Sequence, residues 1–198
     1  MFTGIIEDLG RVEETTRELS NIHFWISSAI SDELKIDQSV AHDGVCLTVV
    51  ELRPGAHRVT AIAETLSKTN LQQWVVGQSV NMERCMKADG RFDGHIVQGH
   101  VDQAGKCVDR SDQQGSTVFT FEYHPGESQM VVEKGSITVN GVSLTAFNCH
   151  EQFFSVAIIP YTAAHTNIGG LLPGQMVNLE FDIIGKYVAR MLDARSRS

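Results

Sequence analysis

Long apolar runs are missing from this chain of 198 residues. None approaches the roughly 20 residues that a helix needs to cross a bilayer, so no membrane-spanning helix is expected. Paired cysteines are missing as well. Cys46, Cys85, Cys107 and Cys149 form no CxxC pair and no Cys/His cluster at zinc spacing, which excludes a zinc module. Four unpaired thiols point to a reducing, cytoplasmic setting. An excess of basic charge is missing too. Sixteen Lys and Arg stand against 24 Asp and Glu, a net charge of −8, which excludes a general nucleic-acid or polyanion binder. The stretch MFTGIIEDLG has no basic region leading into an apolar run, so no leader peptide is expected there. There is no P-loop and no Rossmann fingerprint. What is present is a globular composition, 42% hydrophobic and 20% charged, at a length that suits one large domain or two small ones.

The chain repeats itself. TGIIEDLGRV lies over QGHVDQAGKC when Gly4 is set on Gly99 and Gly10 on Gly105, a shift of 95. Beyond a two-residue gap the shift becomes 97. Asp43-Gly44-Val45-Cys46-Leu47-Thr48 then lies over Asn140-Gly141-Val142-Ser143-Leu144-Thr145, Thr65 over Thr162, and Gly77-Gln78 over Gly174-Gln175. Blocks in one order at one period mean two homologous halves. Two copies of this length make two domains, not a solenoid.

Each half reads as β. SVAHDGVCLTVVEL, HRVTAIA, SITVNGVSLTAF and FFSVAIIP are short, β-branched and bounded by turn residues. Asp-Gly and Asn-Gly in HDG and VNG are tight-turn pairs. Strands at this spacing suggest a small closed barrel per half. ETLSKTNLQQW and YTAAHTNIGGL each predict a short helical turn running into a loop. The hinge falls in KADGRFDGH. IIGKYVARMLDAR has no counterpart in the repeat. Its Ile184, Tyr187, Val188, Met191 and Leu192 follow helical spacing, with Asp182 placed to cap the helix. Such a stripe packs either on its own barrel or on the same helix of another subunit, and amphipathicity favours the second.

Matched residues report what the halves share, and mismatched ones report how they differ. The hydroxyls Thr48/Thr145 and Thr65/Thr162 match. Gly4 and Gly99 match, and each would let a ligand approach the backbone. Taken one repeat at a time, these are also ordinary turn and strand residues. The mismatches are chemical: Cys46 faces Ser143, Ile5 faces His100, Asp37 faces Lys134, Cys85 faces Asp182, and Phe2 faces Val97. His100 is the natural acid/base candidate near neutral pH. Lys134 also reads as a surface charge and Asp182 as a helix cap. The remaining histidines read as structural or surface residues, with His95 set apart by its closeness to His100.

MFTGIIEDLG, NMERCMKADGRFDGHIVQGHVD and EKGSITVNGVSLT together resemble the riboflavin synthases built from two lumazine-binding repeats, from Met1 to about Leu192. The resemblance implies an all-β fold of two homologous six-stranded Greek-key β-barrels followed by a C-terminal α-helix. Residues 1–94 would form the first lumazine-binding barrel, 95–182 the second, and 183–198 a helix and tail at a trimer contact. It implies a transferase that converts two 6,7-dimethyl-8-ribityllumazine molecules into riboflavin and 5-amino-6-(D-ribitylamino)uracil by four-carbon transfer, with no cofactor and no metal. It implies a cytoplasmic homotrimer that binds neither nucleic acid nor membrane, with lumazine synthase as a candidate partner whose association the sequence leaves open. The active site would lie between the first barrel of one chain and the second barrel of a neighbour.

Carried onto this chain, the resemblance makes Cys46 and Ser143 edge residues of two bound pterins and His100 the proton-transfer residue. Thr48 and Thr145 would position the rings, Phe2 would cover the reacting pair, Lys134 would aid charge stabilisation, and Asp182 would act across the site. Substrate contacts would come from Gly4-Ile5-Ile6, Cys46-Leu47-Thr48, Thr60-Ala61-Ile62-Ala63-Glu64-Thr65, Gly99-His100-Val101, Lys134, Ser143-Leu144-Thr145 and Ala157-Ile158-Ile159-Pro160-Tyr161-Thr162. PYTAAHTNIGG departs from the common pattern, where Tyr161 to Gly170 is more polar or charged. The competing class is a non-catalytic lumazine- or flavin-binding fluorescent antenna protein, which would share the barrels and lack the reactive set.

Overall fold

A computed structural model of the chain describes residues 1–126 and 130–196. Residues 197 and 198 of the expected tail lie outside the described residues. In the first half, β1 (Asp8–Glu18), β2 (Asn21–Ser27), β3 (Ser39–His42), β4 (Val45–Arg53), β5 (Ala56–Ala61) and β6 (Ser79–Arg84) close into a barrel in the order β1-β2-β5-β4-β3-β6. In the second, β7 (Gln103–Gln113), β8 (Ser116–Glu122), β9 (Ser136–Val139), β10 (Val142–Phe147), β11 (Phe153–Ile158) and β12 (Met176–Phe181) close in the same order, β7-β8-β11-β10-β9-β12. β7 begins 95 residues after β1 and β9 begins 97 after β3, so the two extra residues fall between β8 and β9.

Local chemistry explains the closure. Alternation along β2 turns Ile22, Phe24 and Ile26 inward, and along β8 it turns Phe119 and Phe121 inward. Each fully buried side chain of this size contributes about 1.5–3 kcal/mol, so the two cores account for most of the driving force. The register slips between Val12 and Glu14 in β1, and between Cys107 and Asp109 in β7. Such bulges bend a strand around a barrel corner. Asp43-Gly44 and Asn140-Gly141 join β3 to β4 and β9 to β10, with φ of +46° and +78°, and +45° and +80°. These are the tight hairpin turns that the dipeptides predict.

The two turns meet back to back at the junction of the barrels. A Cβ on Gly44 would lie 2.7 Å from the Gly141 nitrogen. Asn81 of β6 donates to the Asn140 carbonyl at 2.9 Å, and Asn178 of β12 donates to the Asp43 carbonyl at 2.9 Å. The predicted helical turns are α1 (Ala63–Lys68) and α2 (Pro160–His165), each followed by a 3-10 turn, Asn70–Gln73 and Asn167–Gly170. Asn70 and Asn167 from those turns complete the junction, bonding Asn178 and Asn81 respectively.

The last helix, α3 (Ile183–Ser196), is capped by Asp182, whose carboxylate accepts the Ile184 N–H at 2.9 Å. Lys186 ties its first turn to Asp102 at 2.6 Å. The stripe Ile184, Tyr187, Val188, Met191 and Leu192 is at least half exposed at every position. No helix among the described residues is long and apolar enough to cross a membrane.

Candidate active site

The segments that precede β1 and β7 do not stay with their own halves. They pair with each other first: the Phe2 N–H donates to the Val97 carbonyl at 2.7 Å, and the Val97 N–H donates back to Phe2 at 3.1 Å. Each then crosses over. The Gly4 carbonyl accepts the Ser143 N–H of β10, and the Gly99 carbonyl accepts the Cys46 N–H of β4, both at 2.8 Å. Ile6 packs on the second core and Val101 on the first. Gly4-Ile5-Ile6 therefore belong with Ser143-Leu144-Thr145, and Gly99-His100-Val101 with Cys46-Leu47-Thr48.

The crossing also explains the two glycines. A Cβ on Gly4 would sit 2.6 Å from the Ser143 Cβ, and one on Gly99 would sit 2.7 Å from the Cys46 Cβ, with φ near +78° at both. The side of each glycine where a Cβ would stand is filled by a strand of the opposite barrel.

Cys46 and Thr48 alternate with the buried Val45, Leu47 and Val49, so they face outward from the first barrel. Ser143 and Thr145 do the same on the second. Thr60 of β5 also faces outward, where its hydroxyl meets His23 Nδ1 at 2.8 Å. Ile62, Ala63 and Glu64 are exposed beyond it, as are Ala157, Ile159, Pro160 and Tyr161 on the second barrel, while Thr65 and Thr162 are partly buried. Leu47, Ala61 and Ile158 turn into the cores, so these three offer only backbone to a ligand.

The two faces differ in chemistry. Ser143 Oγ lies 2.6 Å from His95 Nδ1, and His95 Nε2 lies 3.1 Å from Thr138 Oγ1. Burial lowers the His95 pKa, against the pull of the Asp182 charge, and keeps the ring neutral and able to accept a proton. Around Cys46 the corresponding positions are apolar: Phe2, Ala41 and Val97 form one small buried cluster against the thiol. Burial pushes the Cys46 thiol up, with a Ser39 hydrogen bond pulling the other way, so the sulfur stays protonated. The sequence sets His95 apart only by its closeness to His100; in the structure its ring bonds Ser143. His95 has no counterpart because the repeat shift carries position 95 to before residue 1.

Other expected residues are placed less directly. Phe2 is fully buried, its ring close to Gly99 and packed in the small apolar cluster beside Cys46. His100 is exposed at the end of the crossing segment, beside the Cys46 face. Lys134 is exposed in a left-handed turn with its ammonium 5.5 Å from the Phe147 ring. Asp182 acts electrostatically on His95 while capping α3. A cavity of about 640 Å³ at the barrel junction is lined by Asn70, Trp74, Asn140 and Asn167 and includes neither Cys46 nor Ser143. Another of about 530 Å³ lies against Ile158 and Pro160.

The chain matches the Lumazine binding domain family twice, over residues 3–85 and 98–182. It is 37% identical to the riboflavin synthase of Actinobacillus pleuropneumoniae, covering 97% of this chain and 90% of that one. It is 39% identical to the riboflavin synthase of Mycobacterium tuberculosis, covering 97% and 98%. Among solved structures, LumP complexed with 6,7-dimethyl-8-(1'-D-ribityl) lumazine superposes with a TM-score of 0.83 at 18% identity, over 91% of this chain and 99% of that one. LumP complexed with riboflavin gives 0.83 at 19%, over 91% and 98%. The two halves, each closing one barrel and carrying its own match, place the chain in the lumazine binding domain family, among the riboflavin synthases.

Proposed function

We propose that the chain makes riboflavin by dismutation. Two 6,7-dimethyl-8-ribityllumazine molecules exchange a four-carbon unit to give riboflavin and 5-amino-6-(D-ribitylamino)uracil. The observation that carries this reading is one duplicated framework with two unlike faces, Cys46 in an apolar setting and Ser143 bonded to a neutral histidine. Two identical molecules must take opposite parts, and equal pockets could not assign them.

In this mechanism the molecule on the Ser143 face is the one attacked at C7. His95 takes the proton of the attacking hydroxyl or water, as a neutral imidazole held 2.6 Å from an oxygen can. The molecule on the Cys46 face gives up a proton from its 7-methyl group to His100. The resulting carbanion is delocalised into its ring and forms the first carbon–carbon bond to the adduct. Thr48 and Thr145 position the rings, Lys134 contributes positive charge, and Asp182 steadies the His95 side. Holding both rings together supplies a rate gain on the order of several kcal/mol. The product formulas add up to two substrates, so no outside oxidant enters the balance.

Residues 1–94 and 95–182 are the two units of duplication in this reading. Three chains associate through α3, and each active site closes between the first barrel of one chain and the second barrel of the next. The exposed stripe on α3 and the open faces around Cys46 and Ser143 support that arrangement. The four free cysteines suit the cytoplasm. Association with lumazine synthase belongs to the same reading and is open to test by co-purification.

The test is purified chain with 6,7-dimethyl-8-ribityllumazine and no additive, followed by absorbance. One riboflavin should form for every two lumazines consumed. Tight binding without riboflavin would instead identify a lumazine-binding antenna protein. Removal of residues 183–198 should give monomers of little activity, and trimers surviving that deletion would reject the role of α3.

A further inference from the structure

Two buried glutamates hold the crossing segments, and neither touches a candidate reacting atom. Glu83 stands on β6 and Glu180 on β12, at matched positions of the repeat, 5% and 3% exposed. Glu83 Oε1 accepts the Thr3 N–H at 2.7 Å and the Thr3 hydroxyl at 3.0 Å, and its Oε2 accepts the Gly4 N–H at 3.0 Å. Glu180 Oε1 accepts the Gln98 N–H at 2.7 Å, and its Oε2 accepts the N–H groups of Gly99 and His100 at 2.9 and 3.0 Å. Three donors converge on each carboxyl group and favour its charged form, against the burial that pushes both carboxyls up.

The other end of each held segment reaches the opposite barrel. Glu83 of the first barrel holds Gly4, whose carbonyl takes the Ser143 N–H of the second. Glu180 of the second barrel holds Gly99 and His100, and the Gly99 carbonyl takes the Cys46 N–H of the first.

We propose that Glu83 and Glu180 are paired positioning residues, each setting the geometry of the pocket in the other barrel: Glu180 the Cys46 pocket with His100, and Glu83 the Ser143 pocket. A burial-tolerant apolar residue would fill either strand position equally well, so a charge at both is explained by what it holds. The argument rests on the riboflavin synthase reading of the two faces, but the anchoring itself is independent of it.

Glu180→Gln keeps the size and replaces one acceptor oxygen with an N–H₂ that meets backbone donors. Amide hydrogen exchange should speed up at Gly99 and His100 in this variant and stay unchanged at Gly4, and Glu83→Gln should do the reverse. That readout needs no turnover. In turnover, kcat should fall on the order of 100-fold with KM changed much less, the scale of a misplacement of about 1 Å. Pocket assignment is read by double-mutant cycles. Glu180→Gln should be non-additive with His100→Gln and additive with Ser143→Ala, and Glu83→Gln should couple to Ser143→Ala alone. Glu180→Asp, which keeps the charge but withdraws the oxygens, serves if the Gln variant does not fold, and its kcat should also fall with the same coupling. Native kcat in either folded Glu180 variant, or equal coupling to both pockets, overturns the proposal. A wild-type chain that makes no riboflavin sinks the activity reading instead, while the exchange experiment still decides the anchoring.

Discussion

The two barrels share strand order, the bulge in their first strand and their Asx-Gly turns, yet they differ at buried polar positions that the framework does not require. In the first barrel His42 and His57 lie Nε2 to Nε2 at 2.8 Å. His42 Nδ1 faces the Val40 carbonyl, so it carries the proton, and His57 must donate from Nε2 and accept the Ser31 hydroxyl at Nδ1. The second barrel has Val139 and Phe154 at those positions, both in its apolar core. At the junction the first barrel has Asp43 where the second has Asn140. Asn140 Nδ2 donates to Asn167 Oδ1 at 3.3 Å, whereas Asp43 Oδ2 and Asn70 Oδ1, the matching pair, have no partner. The difference teaches that closure of the barrel depends on the apolar pattern alone, while the polar exchanges decide how each half responds to protons.

That contrast can be broken in order of effect. The largest change is expected at the two histidines of the unlike faces. His100→Gln and His95→Gln should each slow turnover by roughly 10²–10⁴-fold with little loss of lumazine binding, the range for an acid or base residue. Near-normal turnover in steady-state assays would reject the assignment. Gly99→Ala comes next, because its Cβ would meet Cys46 and Phe2 at 2.7 and 2.8 Å with φ at +79°. Activity should drop about 100-fold, whereas Gly55→Ala, with nothing within 4 Å, should leave kcat unchanged.

Stability changes are smaller and depend on pH. Burial raises the Asp43 carboxyl from 3.8 to about 7. The native state therefore binds this proton more tightly than the unfolded chain, and stability falls as pH rises from about 4 to about 7, by up to ~4 kcal/mol. Asp43→Asn should remove that slope and stabilise the chain at pH 8 in urea melts. Desolvation lowers His57 from 6.5 to about 4 and pushes His42 down as well. Here the unfolded chain takes the proton first, so stability falls as pH drops from 6.5 towards 4, by about 3 kcal/mol for His57. Trp25 and Trp74 both belong to the first half, so tryptophan emission follows that barrel. The double change His42→Val and His57→Phe should abolish its acid transition; an unchanged transition would place the lability elsewhere.

Most of the fold was legible. The shift of 95 becoming 97 matched the segments that form β3 to β5 with those that form β9 to β11, Asp-Gly and Asn-Gly named their turns, and the unpaired stripe after Asp182 named α3, while β1, β2, β7 and β8 carry no comparable strand signal. The crossing was not legible, because matching Gly4 to Gly99 states that two segments are equivalent and not which barrel each one touches. His95 escaped because it has no repeat partner to differ from. Glu83 and Glu180 escaped for the opposite reason. They match, in NMER and NLEF, and matched residues read as framework; the signal was a shared charge within an otherwise buried strand.

The central claim is that one active site needs the Cys46 face of one chain and the Ser143 face of another. Mixing unfolded His95→Gln and His100→Gln chains and refolding them together tests it directly. Mixed trimers would contain sites built from the intact Cys46 face of the first variant and the intact Ser143 face of the second, so riboflavin formation should return to a substantial fraction of the wild-type rate. If the refolded mixture is no more active than either variant alone, the two faces do not meet across chains and the account is wrong.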